Sequence, residues 1–206
     1  MERVNGKFFL DKILNNKKGV YDFVESMNMY NAFNRHLYIA EIDSCVGDDI
    51  SDYIRFYNLL DEEEKIPVEE RDPIHIYINS PGGDVSATLT IIDAIRNSKT
   101  PVYTINTGEA YSGGFFIFIA GHKRFAYPHS TFLYHEGYTG SLGDANKFNN
   151  FADFYKKVLG KLKDITIEYT NISSELYEEH RKDDWWLFAD EALELGICDE
   201  ITNEII

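Results

Sequence analysis

Short apolar runs alternate with longer amphipathic segments from residue 36 to the end of the chain. The apolar runs are rich in β-branched and aromatic side chains, and they have the length of strands. They comprise HLYIAEI (36–42), IHIYINS (74–80) and PVYTINT (101–107), followed by two short strands around Pro128 in KRFAYPHSTFLYH. Strands that alternate with helices favour a parallel sheet with helices packed against it, so we predict an α/β fold.

The segments between the predicted strands carry apolar residues at the three- and four-residue spacing of amphipathic helices. In VSATLTIIDAIRNS, for example, Val85, Leu89, Ile92 and Ile95 fall on one face. The predicted helices are residues 51–60, 85–98, 145–170 and 173–182, and a short one in ADEALELGICDEI that stops at Gly196.

The longest of these helices, at residues 145–170, carries a large share of aromatic side chains. The apolar residues near one of its faces are Phe148, Phe151, Phe154, Tyr155 and Val158. This face is larger than a single amphipathic helix needs, which predicts that the helix packs against a partner.

Two stretches depart from the alternating pattern. Residues 1–35 mix charged and apolar residues with weak periodicity. We interpret them as an N-terminal segment with one or two short helices, ahead of a single domain at residues 36–206. The acidic run DEEEKIPVEERD (61–72) is typical of a solvated surface loop.

The net charge of -15 at pH 7 argues against two classes of partner. Nucleic acids and anionic membranes bind clustered Lys and Arg, which so acidic a chain does not favour. The longest apolar run, FFIFIA, is far too short to cross a bilayer, and the charged N-terminus does not have the pattern of a signal peptide. The two cysteines lie far apart and suggest no disulfide framework, so we expect a cytoplasmic protein.

Two of the predicted strands end in glycine-rich turns, SPGG (80–83) and YSGG (111–114). Ligands of parallel sheets bind beyond these carboxyl ends, so the turns mark a candidate site. Ser112 opens the next predicted helix and is a candidate nucleophile, which would need a base and backbone N–H donors for the oxyanion. One N–H from Gly113 and one from the SPGG turn would supply those donors. A serine at the start of a helix is also typical of an N-cap. The stretch around Ser112 does not match the G-x-S-x-G motif that carries the nucleophile in many hydrolases.

A general base and an orienting acid must come from elsewhere in the chain. Of the six histidines, none has the spacing with Cys or Glu that a zinc site requires, so we expect no metal and no other cofactor. His135 follows the apolar run TFLY at a strand end, and it is the best candidate base by position. For the acid, KDDWWLFAD offers three carboxylates, and its two tryptophans would exclude water from the one that is used. The candidates are Asp183, Asp184 and Asp190, beside Trp185 and Trp186.

These segments, taken in order, resemble the ClpP family of serine peptidases. The matching pieces are INSPGGDVSATLTIIDAI, GEAYSGGFFIFIAGHKRFAYPHS, FLYHEG and DDWWLFADEALELGICDEI, within a resemblance that covers about residues 36–202. It implies the ClpP/crotonase-like fold of stacked ββα units with a protruding handle helix. The segment that would form this handle is ANKFNNFADFYKKVLGKLKD.

The resemblance also implies the roles of individual residues in a serine endopeptidase. Ser112 matches the nucleophile, His135 the general base and Asp184 the orienting acid, while the N–H groups of Gly83 and Gly113 match the oxyanion hole. The family assembles as two stacked heptameric rings around a chamber, into which a Clp AAA+ unfoldase feeds unfolded chains. The expected partners are therefore copies of this chain, a Clp unfoldase and a polypeptide substrate, with no nucleic acid and no membrane.

Several residues depart from the family pattern. Glu109 and Tyr111 stand where the family has small or apolar residues, Glu136 and Gly137 replace Gln-Pro, and Asp183 replaces an Arg. These differences indicate a divergent member, such as a phage-encoded or accessory peptidase. Three alternatives stay open at this point: a crotonase-like acyl-CoA enzyme, an inactive ClpP-like ring subunit, and a phage capsid-maturation protease.

Overall fold

The structure is a computed structural model that describes residue 27, residues 30–137, residue 140 and residues 143–204. Most of the N-terminal segment predicted at residues 1–35 lies outside these residues; in its described part, residue 27 and residues 30–33 are helical.

Strands and helices alternate along the described part of the chain. The strands are β1 (His36–Ile42), β2 (Ile74–Gly83), β3 (Val102–Tyr111), β4 (Lys123–Ala126), β5 (Thr131–Tyr134), β6 (Trp185–Phe188) and β7 (Glu200–Ile201). The α-helices are α1 (Ser44–Glu63), α2 (Val85–Asn97), α3 (Gly113–Ile119), α4 (Ala145–Tyr169), α5 (Ser174–His180) and α6 (Ala189–Glu194). None of the described helices is long and apolar enough to cross a membrane.

The strands form one seven-stranded sheet, in which β1, β2, β3, β4 and β7 follow one another as parallel neighbours. The strand β3 forks the sheet, because its first half pairs with β4 while its last residues, Glu109–Tyr111, pair with β5. The short strand β6 then pairs with β5 in the antiparallel direction. The predicted α/β fold with a parallel sheet is confirmed, and the fork carries the end of β3 away from β4.

Helix α3 lies in the core, and each of its residues, GGFFIFI, is buried. It packs against β2 and β3, and it also contacts α2 and α4. Burial of one large apolar side chain contributes about 1.5–3 kcal/mol, so the run of phenylalanines and isoleucines holds this helix firmly. Any residue at the junction between β3 and α3 is therefore attached to a rigid part of the molecule.

Helix α1 begins earlier than the sequence pattern predicts. The prediction was residues 51–60, whereas the helix runs over Ser44–Glu63. Its start is set by Asp43, whose side chain accepts a hydrogen bond from the Val46 N–H at 2.9 Å. An N-cap aspartate stabilises a helix by about 1 kcal/mol, which allows the helix to begin in a polar stretch that lacks apolar periodicity.

The predicted solvated loop at residues 61–72 is wrong near both of its ends, because residues 61–63 belong to α1 and Arg71 is buried. Asp61 belongs to α1 and is completely buried. Its carboxylate accepts hydrogen bonds from Arg35 Nη2 at 2.5 Å and from the Thr100 hydroxyl at 2.7 Å. Burial raises the pKa of Asp61, but the Arg35 and Thr100 hydrogen bonds and the Arg35 charge outweigh it, so that the pKa lies below its ordinary value.

Asp61→Ala is expected to lower the free energy of unfolding by about 3–5 kcal/mol, because it leaves the mostly buried Arg35 guanidinium without its carboxylate. Since the folded pKa is depressed, this contribution is complete above the unfolded pKa of about 3.9 and is lost as the pH falls through the folded pKa. Urea unfolding at pH 7 and pH 3 measures both effects. The matched control is Glu69→Ala, an exposed acid of the same run, which should change stability by less than about 0.5 kcal/mol. An equal loss in the two variants would contradict the prediction.

Candidate active site

Ser112 lies at the junction between β3 and α3 in an unusual backbone conformation. Its φ is 52° and its ψ is -118°, a region that non-glycine residues adopt rarely and at a cost of about 1–3 kcal/mol. Its N–H donates to the Leu133 carbonyl oxygen at 2.9 Å, which ties the turn to β5. Although Ser112 occupies the N-cap position, its side chain makes no capping hydrogen bond. The helix-cap alternative therefore does not account for this serine, and its side chain lines a cavity instead.

The predicted SPGG turn is instead the end of β2, which remains paired with β1. Gly82 in this stretch has a φ of 106°, and a Cβ at this position would lie 2.7 Å from Ser112 Cβ and 2.9 Å from the Tyr111 carbonyl oxygen. Its N–H donates to Ser80 Oγ at 3.1 Å. Only glycine allows the ends of β2 and β3 to approach this closely.

The Gly83 backbone lies close to that of Gly113, because a Cβ built on Gly113 would be 3.5 Å from the Gly83 nitrogen. The next N–H along the chain, that of Asp84, donates to the Ile42 carbonyl oxygen at 2.8 Å. Gly83 and Gly113 also line the same cavity as Ser112.

His135 directly follows the last residue of β5 and lines the same cavity. Its imidazole is largely shielded, with 20% of the side chain exposed. The preceding residue, Tyr134, is buried and donates a hydrogen bond to the Tyr177 hydroxyl on α5. Burial, and then the bond with Tyr177, raise the pKa of Tyr134 above its ordinary value, so it remains a neutral donor.

Asp184 reaches His135 because of the register between two strands. The antiparallel pairing of β5 with β6 places Tyr134 opposite Trp185, so the next residues outward, His135 and Asp184, face each other. Asp184 Oδ1 lies 3.7 Å from His135 Nδ1. This distance is longer than a hydrogen bond but within the range of an ion pair.

The prediction that two tryptophans shield the acid from water is wrong. The Asp184 side chain is 54% exposed. Trp185 stacks on His180 at a ring distance of 4.1 Å, whereas Trp186 is itself exposed. Neighbouring side chains of a strand point to opposite faces, so the two indoles cannot enclose one carboxylate. The other candidate acids, Asp183 and Asp190, are exposed as well.

The cavity beside Ser112 has a volume of about 250 Å³. Its apolar wall includes Val85, Phe116 and Leu162, and Glu136 and Tyr155 line it as well. Tyr155 comes from α4, and its hydroxyl donates to the Glu136 carbonyl oxygen at 3.2 Å. Burial and then the Glu136 charge raise the pKa of Tyr155, which keeps this hydroxyl protonated.

Sequence reasoning did not place Glu136 and Tyr155 in the site. Glu136 stood out only as a departure from the family pattern, and Tyr155 only as one residue of an aromatic helix face. The signal that could have found Glu136 was its position next to His135. No local pattern connects Tyr155 to that strand end, which lies 20 residues earlier in the chain.

Tyr111, another departure from the family pattern, packs beside the site. Its hydroxyl forms a 2.7 Å hydrogen bond with Thr131 Oγ1, and its ring meets the edge of Trp186 at 5.1 Å between centroids. The larger side chain at this position is thus accommodated across β5 and β6.

The fold agrees with the comparisons with known proteins. A family model described as Clp protease matches residues 25–204, and the chain belongs to this family. Among curated proteins, proteolytic subunit 2 of the ATP-dependent Clp protease from Treponema pallidum (strain Nichols) is 37% identical over 134 residues, which is 64% of this chain and 67% of that protein. The family predicted from the sequence motifs is confirmed, and the findings support a serine peptidase of the ClpP type in general.

Proposed function

We propose that this chain is a serine endopeptidase that hydrolyses peptide bonds with Ser112, His135 and Asp184. One observation carries the proposal: Ser112 opens a helix without capping it, and its side chain shares a cavity with His135, which Asp184 approaches. A serine held in a strained turn with no structural use for its hydroxyl is typical of a nucleophile.

The proposed reaction proceeds through an acyl-enzyme. Ser112 Oγ attacks the scissile carbonyl carbon while His135 Nε2 accepts its proton, because Nδ1 of the same ring faces Asp184. The Gly83 and Gly113 N–H groups donate to the oxyanion that forms. His135 then returns the proton to the leaving amine, and a water molecule deprotonated by His135 releases the acyl group. The 3.7 Å contact between His135 and Asp184 shortens when substrate binds, as catalytic contacts commonly do.

The cavity is suited to a side chain of the substrate next to the scissile bond. Its wall of Val85, Phe116 and Leu162 is apolar, so we expect it to accept an apolar side chain of moderate size. Short peptides and unfolded chains present such side chains, whereas folded proteins bury them.

Members of the family form oligomeric rings and work with Clp ATPases, and we propose both for this chain. Helix α4 supports assembly, because only Leu162 and Thr166 of its residues are buried. Phe148 and Phe154 on this helix are 51% and 61% exposed, which is unfavourable for aromatic side chains in a lone subunit. We propose that α4 is the handle that joins two heptameric rings, so that the active sites face an enclosed chamber into which a Clp unfoldase delivers chains.

A fluorophosphonate probe and native mass spectrometry on the same sample test the proposal. The probe phosphonylates an activated serine, so tryptic mapping should place one adduct on the peptide that contains Ser112. The native mass should correspond to two heptameric rings of the 206-residue subunit. An unlabelled Ser112 would contradict the peptidase, and binding of an acyl-CoA by such a protein would favour the acyl-CoA alternative. A labelled monomer would contradict only the ring.

A further inference from the structure

The residue after His135 is held by a cation from a different part of the chain. Arg181 Nη1 donates to Glu136 Oε1 at 2.8 Å, and both side chains are partly shielded, with 34% and 25% exposed. The backbone carbonyl oxygen of Glu136 also accepts a hydrogen bond from the Tyr155 hydroxyl. The segment that carries His135 is thus attached through both the side chain and the main chain of its next residue.

Arg181 also forms an ion pair with a second carboxylate. Its Nε lies 2.6 Å from Glu178 Oε2, one helical turn earlier, although the Nε–H makes no hydrogen bond. Glu178 in turn pairs with Lys163 on α4 at 2.5 Å. A guanidinium that is hydrogen-bonded to one carboxylate and paired electrostatically with a second has less freedom than one in a simple surface pair, so it can fix the position of Glu136.

The same short segment carries the proposed orienting acid. Arg181 directly follows α5 (Ser174–His180), and Asp184 comes three residues later, immediately before β6. The residue before His135 is attached to α5 as well, through the bond from Tyr134 to Tyr177. Both sequence neighbours of His135 are therefore bound to the segment that leads into Asp184.

We propose that Arg181 is a positioning residue, which sets the approach of His135 to Asp184 by holding Glu136. This inference rests on the proposed function. Asp184 is more than half exposed and lies 3.7 Å from the imidazole, and an exposed ion pair of this length does little to fix a side chain. The Arg181–Glu136 pair is shorter and better shielded, and it joins the same two segments.

Loss of this pair should act on turnover rather than on substrate binding. The apolar wall of the cavity does not depend on Arg181, whereas a shift of the base by a fraction of an ångström lowers the rate of proton transfer. A misplacement of about 1 Å can cost about 100-fold, so we expect a loss of about tenfold in kcat for the smaller shift. KM should stay within about twofold in the Arg181 variants, whereas the Glu136 variants are compared by kcat and labelling rate because Glu136 lines the cavity.

The test uses the full chain and a short fluorogenic peptide, with kcat, KM and the rate of fluorophosphonate labelling of Ser112 as readouts. Arg181→Met and Glu136→Met should each lower kcat and the labelling rate about tenfold, and the double variant should lose no more than either single one, because the two side chains act as a unit. Arg181→Lys and Glu136→Gln retain a donor or an acceptor, and each should recover part of the loss. The matched control is Lys99→Met, which breaks an ion pair of equal length, 2.8 Å to Glu62, remote from the cavity.

Three results would overturn the positioning role in an active protein: kcat within about twofold of the wild type in both Met variants, losses that multiply in the double variant, or an effect confined to KM. If Arg181→Met does not fold, the two Glu136 variants and Arg181→Lys decide by the same criteria. A wild type with neither turnover nor an adduct at Ser112 overturns the proposed function, and this inference with it. An active wild type with unaffected variants overturns the inference alone.

Discussion

Ser112→Ala is expected to lower kcat for peptide hydrolysis by about 10⁶-fold, the loss typical of removing the nucleophile of a catalytic triad. Without Oγ no acyl-enzyme forms, and the remaining N–H donors only assist direct attack by water. The substitution leaves the backbone bond from residue 112 to the Leu133 carbonyl in place, and no hydrogen-bonded cap is lost. Stability should therefore change little, so the effect can be assigned to chemistry.

The measurement is turnover of a fluorogenic peptide together with probe labelling. Ser44→Ala is the matched control, because Ser44 is an exposed serine at the first position of α1 and does not line the cavity. It should retain wild-type kcat and labelling. Turnover at the wild-type rate in Ser112→Ala would remove this serine from the mechanism and with it the proposed function.

Gly83→Ala is expected to lower kcat/KM by at least about 10²–10³-fold, the usual effect of losing one oxyanion donor. A Cβ on Gly83 would lie 2.0 Å from the Ile42 carbonyl oxygen, and the residue has a φ of 153°. The obstacle is backbone rather than a flexible side chain, so the end of β2 must move and carry the Gly83 N–H with it. The free energy of unfolding should fall as well, because the contact between β1 and β2 opens.

Gly160→Ala provides the comparison for this second substitution. A Cβ on Gly160, in the middle of α4, meets nothing within 4 Å. Alanine is the better helix former, so this variant should gain up to about 1 kcal/mol in the stability of the subunit. Peptide kinetics and urea unfolding of both variants separate the two effects. Gly83→Ala with kcat/KM within about threefold of the wild type would exclude its N–H as an oxyanion donor.

The sequence predicted the regular elements well wherever a periodic pattern was uninterrupted. The strand at residues 36–42 and the long helix at 145–169 match the structure closely, because an amphipathic face repeats along the whole element. The start of α1 was missed because a single hydrogen bond from the Asp43 side chain replaces periodicity there. Asp61 was placed in solvent because its acidic neighbours are exposed, whereas its own partner, Arg35, lies 26 residues earlier.

The candidate site was accessible to sequence reasoning only in part. Strand-end logic singled out Ser112 and His135, and both lie at strand ends in the structure. The choice of Asp184 rests on the family resemblance. The sequence pattern alone does not distinguish it from Asp183 and Asp190 in the same segment. Asp184 is exposed, although the sequence predicted that Trp185 and Trp186 shield it from water. The direction of each indole depends on which edge of the sheet β6 joins, and the sequence pattern does not show that.

The hydrophobic pattern by itself determined the α/β class, the order of most elements and the positions of the two glycine-rich strand ends, because these depend on which residues bury one face of a local element. Tertiary structure decided that β2 ends against the Ser112 turn, that Tyr134 pairs with Trp185 and that Arg181 reaches Glu136. Each of these contacts joins segments about 30 to 50 residues apart, and each follows from strand register and helix placement. The energy that selects such a register is spread over the whole core, so no short stretch of the chain encodes it.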